Sequence, residues 1–160
     1  NELEKIRNFS KDKPLIEYND LIKIISSAED YKISELTDQC LAKNRNKTIN
    51  ILNENSSSAE DNILILKSFL YKLKRLKKLK EEIAANKSQN DVISAYKPPI
   101  FWKDKEIIKK QLNTLSIDDI KKIIIKVNNL ELLIKRNSAL SNEITNNFIL
   151  ETINQPSSLT

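Results

Sequence analysis

The side chains that could support catalysis do not stand at catalytic spacings. Asp118 and Asp119 are adjacent, so on a helix they point about 100° apart and cannot act together as an acid and a base. The chain has no histidine, so its serines have no imidazole to activate them. The single cysteine, Cys40, falls in a helical pattern and is expected to be a small buried apolar residue. We therefore expect a chain that is not an enzyme by itself and that holds no cofactor and no metal.

The composition excludes further classes of protein. The 160 residues contain no glycine, which excludes glycine-rich phosphate-binding loops and disfavours the tight hairpins of an all-β fold. Hydrophobic residues make up 39% and charged residues 31%, which is typical of a chain that folds. The net charge of +5 permits contact with nucleic acid without requiring it. No apolar run is long enough to span a bilayer, so we expect no membrane contact and a cytoplasmic location.

Two adjacent prolines organise the middle of the chain, in the run Lys97-Pro98-Pro99-Ile100-Phe101-Trp102. Two adjacent prolines cannot lie inside a helix, so one helix must end near Tyr96 and the next can begin only near Trp102. We expect the apolar residues of this connection to fill the core of a helical bundle. The alternative is that Trp102 is an exposed contact for a partner or for a base.

A basic stretch from Lys67 to Lys80 precedes the prolines, on the longest predicted helix, at residues 59–85. Seven cations surround an apolar stripe that begins at Phe69. Such a run is most simply a solvated helix face, and the alternative is a stripe that faces phosphates. Hydrophobic periodicity and serine caps predict further helices at 34–43 (with Ser34 as N-cap), 48–53, 88–96, 102–112 and from Ser116 and Ser141. Two of these starts, Ser88 and Ser116, have a capping-box pattern with aspartate three residues later. We therefore predict an all-α helical bundle.

The second half resembles a known family in four motifs. In order they are the run from Leu66 to Leu76, the block from Lys97 to Lys105, Leu112-Asn113-Thr114-Leu115-Ser116, and Glu131-Leu132-Leu133-Ile134-Lys135. These motifs resemble the C-terminal region of the delta subunit of the bacterial DNA polymerase III clamp loader, of the alphaproteobacterial type. The resemblance covers about residues 61–151. The first fifty residues fit only by pattern, in which Leu3-Glu4-Lys5-Ile6 and the stretch from Ile16 to Ile22 resemble the end of the family's small helical lid domain.

The resemblance implies an architecture and a role. Residues 1–33 would be the end of an AAA+-type lid, residues 34–154 a collar domain, and residues 155–160 a disordered tail. The collar would join the other clamp-loader subunits into the complex that loads the sliding clamp on DNA during replication. The clamp itself would be bound only by an N-terminal domain that this sequence lacks, and we expect the sequence to be the C-terminal part of a longer protein.

The sequence also indicates candidate contact residues, although it does not distinguish apolar residues of the core from those of an interface. Candidate partner contacts are Ile63, Ile65, Phe101 and Trp102. Candidate DNA-facing residues are Lys72, Arg75, Lys78, Lys103 and Lys105. The alternative function is a free-standing basic helical module that binds nucleic acid through the stretch from Lys67 to Lys80. A structural interaction protein with no role in replication is a third possibility.

Overall fold

The computed structural model describes residues 18–54, 58–85 and 88–155, and every regular element in those ranges is a helix. The predicted all-α bundle is therefore confirmed. Two short 3₁₀ helices, Trp102–Asp104 and Ser138–Leu140, accompany the α-helices. The α-helices are α1 Tyr18–Leu41, α2 Arg45–Glu54, α3 Ala59–Ala84, α4 Gln89–Ala95, α5 Lys105–Thr114, α6 Ile117–Arg136 and α7 Ser141–Asn154.

Helix α3 is the central element of the bundle and packs against α1, α4, α5, α6 and α7. Its buried face consists of apolar residues spaced three and four apart, the repeat that places side chains on one side of a helix. These residues are Leu66, Phe69, Leu73, Leu76 and Leu79. The Phe69 ring meets the Phe148 ring of α7 edge to face, with centroids 5.0 Å apart. The predicted burial of Cys40 on α1 is also confirmed.

Serine caps begin two of the long helices. Ser58 at α3 and Ser116 at α6 each accept a hydrogen bond at their hydroxyl from the backbone N–H three residues later, and the aspartate at that position accepts one from the backbone N–H of the serine. The capping box predicted at Ser116 is therefore confirmed. Ser88 precedes α4 as predicted, but its side chain makes no capping hydrogen bond. The capping-box pattern correctly marks where α4 begins, but at Ser88 it does not indicate the interaction.

The helix start predicted at Ser34 is wrong, because α1 continues through this residue from Tyr18 to Leu41. Neither glycine nor proline interrupts this segment, and the Ser34 hydroxyl accepts a hydrogen bond from the Lys72 side chain instead of capping a helix. The proposed boundary between residues 33 and 34 thus falls inside one continuous helix. Residues 1–17 and 156–160, which hold most of the expected lid and tail, lie outside the described residues.

The helices in the described ranges also bear on membrane contact. None of them combines the length and the apolar character that crossing a membrane requires.

Candidate functional site

A groove of about 350 Å³ lies between α1, α3 and the segment of residues 96–104, here called the proline turn. Helix α3 contributes Tyr71 and Arg75 to its walls, and the proline turn contributes Pro98 and Phe101. The basic stretch and the proline run, which stand about twenty residues apart in sequence, therefore meet on one face of the molecule. We call this surface the groove face.

A buried ion pair lies beneath the groove. Lys72 is 6% exposed, and its ammonium contacts the Asp38 carboxylate of α1. It also donates to the backbone oxygen and the hydroxyl of Ser34, both at 2.8 Å. Gln111 of α5 donates to the other Asp38 oxygen at 2.9 Å. These contacts tie α1, α3 and α5 together.

Burial lowers the pKa of Lys72 below its usual value, and the nearby Asp38 carboxylate opposes that shift. The prediction that Lys72 faces DNA is wrong, because its charge is buried and already paired. Ile65 is likewise not a surface contact, since it is 2% exposed and belongs to the core. Ile63 is half-buried and packs against that core.

The proline turn does not fill the core in the way predicted. Tyr96 and Ile100 pack against the core, whereas Phe101 is 57% and Trp102 is 68% exposed. Phe101 has an extended backbone and precedes the 3₁₀ helix that begins at Trp102. Its ring centroid lies 5.8 Å from that of Trp102. The alternative interpretation, in which Trp102 is an exposed contact, therefore fits the geometry better.

Tyr71, which lines the groove, is 61% exposed, and the sequence reasoning missed it as a candidate contact. The signal was present, because Lys67, Tyr71, Lys74 and Lys78 repeat at i, i+4, i+7 and i+11. That spacing places all four on one side of α3. Large exposed aromatics that share one surface are unusual on a monomer and mark interaction sites.

Each of three aromatic rings has a cation beside it. The Arg75 guanidinium lies 6.0 Å from the Tyr71 ring centroid, the Lys78 ammonium 5.5 Å from that of Tyr96, and the Lys103 ammonium 5.3 Å from that of Trp102. The candidate residues Arg75, Lys78 and Lys103 therefore belong to the groove face. Lys105 is half-buried at the start of α5.

Arg75 has capacity for a further contact. Its Nε is a buried donor that has no acceptor among the described residues. A guanidinium forms its strongest hydrogen bonds with carboxylates and phosphates.

No cluster of three or more metal-ligating side chains occurs within residues 18–54, 58–85 and 88–155. The arrangement of rings and cations is suited to binding an anionic partner.

A second surface lies on the outer side of α6 and the 3₁₀ helix that follows it. Ile125 and Leu132, seven residues apart on one side of α6, are 63% and 58% exposed, and Leu140 of the 3₁₀ helix is 56% exposed. We call these three residues the α6 surface. The predicted pair of Glu131 and Lys135 is present beside it, with 2.7 Å between Nζ and Oε1.

The fold and these surfaces define the class of the protein as an all-α helical bundle with two exposed candidate contact surfaces. Comparison with protein-family models, with curated proteins and with solved structures finds no match to this chain.

Proposed function

We propose that this chain is a non-catalytic helical assembly module that holds partner proteins in a larger complex. The observation that carries the proposal is the exposure of Ile125, Leu132 and Leu140 on the α6 surface. Burying large apolar side chains is favourable by roughly 1.5–3 kcal/mol each. A partner that covers these three residues would therefore gain a substantial part of its binding energy from them.

Within that class, we propose the collar of a clamp-loader delta subunit, which acts in the cytoplasm. Support comes from the motif resemblance, together with two structural features of the motifs. The block at residues 97–105 forms a distinct connection between α4 and α5, and the Glu131–Lys135 pair lies on the surface of α6. The partners would be the other clamp-loader subunits, with the sliding clamp bound through an N-terminal domain outside this chain and DNA held by the whole complex.

Analytical ultracentrifugation of the full chain with the clamp-loader subunits of the same genome tests this proposal. We expect the chain to sediment in a complex with them. Leu132→Asp and Leu140→Asp place a charge on the α6 surface and should weaken the complex at least tenfold. Ser94→Asp, which adds the same charge at an exposed position of α4, is the matched control and should have no effect.

Two results would contradict the proposal in different ways. Independent sedimentation of the chain and all the clamp-loader subunits would refute the collar assignment. Equal binding by the Leu132→Asp, Leu140→Asp and Ser94→Asp variants would retain the collar and exclude the α6 surface as its contact.

A further inference from the structure

The solvent-facing side of α3 carries three lysines and one aromatic ring. Lys67, Tyr71, Lys74 and Lys78 are all exposed on it. From the first to the last, this stripe is roughly 17 Å long, because a helix rises 1.5 Å per residue. Arg75 reaches the same side and lies over the Tyr71 ring.

The proline turn extends this stripe with the same kinds of residue. Phe101 borders the groove beside Tyr71, and Trp102 lies next to Phe101 with the Lys103 ammonium over its ring. Lys97 is exposed in the same turn. Exposed rings and exposed cations therefore both occur on the groove face, from α3 and from the proline turn.

The acidic groups near the groove do not cancel these cations. Asp38 is already paired with the buried Lys72, and Glu81, toward the end of α3, lies 3.7 Å from Lys77. Asp104 is half-buried at the edge of the groove. The exposed lysines of the α3 stripe remain available to an anionic ligand.

We propose that the groove face binds single-stranded nucleic acid, with bases stacked on Tyr71 and Trp102 and phosphates held by Lys74, Arg75 and Lys78. A single strand carries both flat rings and anions, and the groove face offers exposed rings and cations close to one another. Aromatic stacking together with a cationic track is the general mode of binding single strands without sequence preference. Arg75 is half-buried and lines the groove, so the terminal nitrogens of its guanidinium would donate to a phosphate oxygen of a bound strand.

Other anionic partners fit this surface less well. In a duplex the bases are paired and stacked on each other, so they offer no free face to Tyr71 or Trp102. An acidic peptide would neutralise the cations but would leave the three exposed rings unused. The proposed site uses different residues from the α6 surface, so it goes beyond the assembly role and can be tested separately.

Trp102 provides an intrinsic probe, because it is the only tryptophan in the chain. The full chain is titrated with an oligothymidylate of about twelve nucleotides, within the range of site sizes known for single-strand binders. Stacking on Trp102 should quench its fluorescence. Three phosphate contacts, made by Lys74, Arg75 and Lys78, predict an affinity that falls by roughly 20-fold between 50 mM and 200 mM salt.

Variants separate stacking from charge, with a fluorescein-labelled oligonucleotide and anisotropy as the readout. Tyr71→Ala should weaken binding by about tenfold or more, and Tyr71→Phe, which keeps the ring, should bind like the parent. Lys74→Gln should reduce the slope of log affinity against log salt concentration by the amount expected for one phosphate contact. Lys122→Gln removes an exposed lysine from α6, outside the groove face, and serves as the matched control with no expected change.

Every outcome of the titration bears on the proposal. Quenching by oligothymidylate, by oligouridylate or by both supports it, and the preference between the two distinguishes DNA from RNA. Polyglutamate of matched charge that binds as tightly and displaces the oligonucleotide would overturn it in favour of an acidic peptide. Absence of binding at 50 mM salt, or equal binding by Tyr71→Ala and the parent, would also overturn it. Leu132→Asp should leave oligonucleotide binding unchanged whether or not the assembly proposal holds.

Discussion

Replacing Lys72 with methionine tests whether the ion pair beneath the groove stabilises the bundle. Methionine has nearly the same length and shape, so the substitution removes the charge with little change in packing. The Asp38 carboxylate, whose side chain is 14% exposed, then keeps the Gln111 amide as a hydrogen-bond donor but loses its counter-ion.

The expected loss of unfolding free energy depends on which partners the Asp38 carboxylate keeps. Removing one member of a buried ion pair typically costs about 3–5 kcal/mol, because the other charge stays buried and uncompensated. Since Gln111 still donates to Asp38, we expect the lower end of that range, about 3 kcal/mol. Combining Lys72→Met with Asp38→Leu removes both charges and should recover most of the loss. The Gln111 amide then still has the backbone oxygen of residue 38 as an acceptor, at 3.1 Å.

Urea unfolding followed by Trp102 fluorescence and by circular dichroism measures these differences, provided that the m value stays constant. Lys74→Met is the control, since Lys74 is an exposed lysine of the same helix and surface substitutions usually change stability by less than about 0.5 kcal/mol. If Lys72→Met lowers the free energy of unfolding by no more than Lys74→Met does, the Lys72–Asp38 pair does not stabilise the bundle.

The same pair predicts a dependence on pH. Because burial lowers the pKa of Lys72 in the folded state, the unfolded chain holds this proton more tightly. In addition to the loss expected for Lys72→Met at neutral pH, the stability of the parent should therefore increase as the pH rises through the lower, folded pKa of Lys72 toward its ordinary value of 10.5. The stability difference between the parent and Lys72→Met, measured across this range, should rise with pH. A flat or falling difference would contradict the assigned desolvation.

Three further predictions concern the core and the helix ends. Burial raises the pKa of Cys40 from 9.0 to about 12. The difference in unfolding free energy between the parent and Cys40→Ala should therefore be constant below pH 9 and should fall by at most about 1.4 kcal/mol per pH unit as the pH rises toward 12. A constant difference up to pH 12 would contradict the burial of the thiol. Ser116→Ala should lower the free energy of unfolding by about 1 kcal/mol in the same urea titration. Ser88→Ala, at a helix start without a capping hydrogen bond, should lower it by close to nothing. Equal losses for the two variants would count against the assigned caps. Phe69→Ala should lower the free energy of unfolding by about 3–5 kcal/mol, while Leu132→Ala should change it by less than about 0.5 kcal/mol. Comparable shifts in the unfolding temperature of the two variants would refute the placement of Phe69 in the core.

Most of the helical architecture was predictable, because the signals for it are local. The prediction of a helix at 59–85 agrees with α3 at Ala59–Ala84, and the proline pair ends α4 and delays α5 as expected. The exception was α1, where a serine suitable for an N-cap was assigned as a helix start. Whether a serine caps a helix depends on the partner of its hydroxyl, and at Ser34 that partner is Lys72 on another helix.

The candidate site was predictable only in part. Its residue types could be chosen from sequence, and Arg75, Lys78, Phe101 and Trp102 do lie on the groove face. Lys72 was misplaced among them, although it carries the same charge on the same helix. Side-chain type does not indicate which lysine of a basic helix meets a carboxylate from another element, and Asp38 lies 34 residues away along the chain.

The sequence by itself determined that the chain is helical and where most helices begin and end, because capping, proline geometry and apolar periodicity act within a few residues. It also determined which residues could bind an anion, because it set their chemical types. Only the tertiary structure decided that Lys72 is buried, that Phe101 and Trp102 face outward, and that the basic helix and the proline turn share one groove. Those outcomes depend on contacts between residues far apart in the chain, and these form only when the helices pack together.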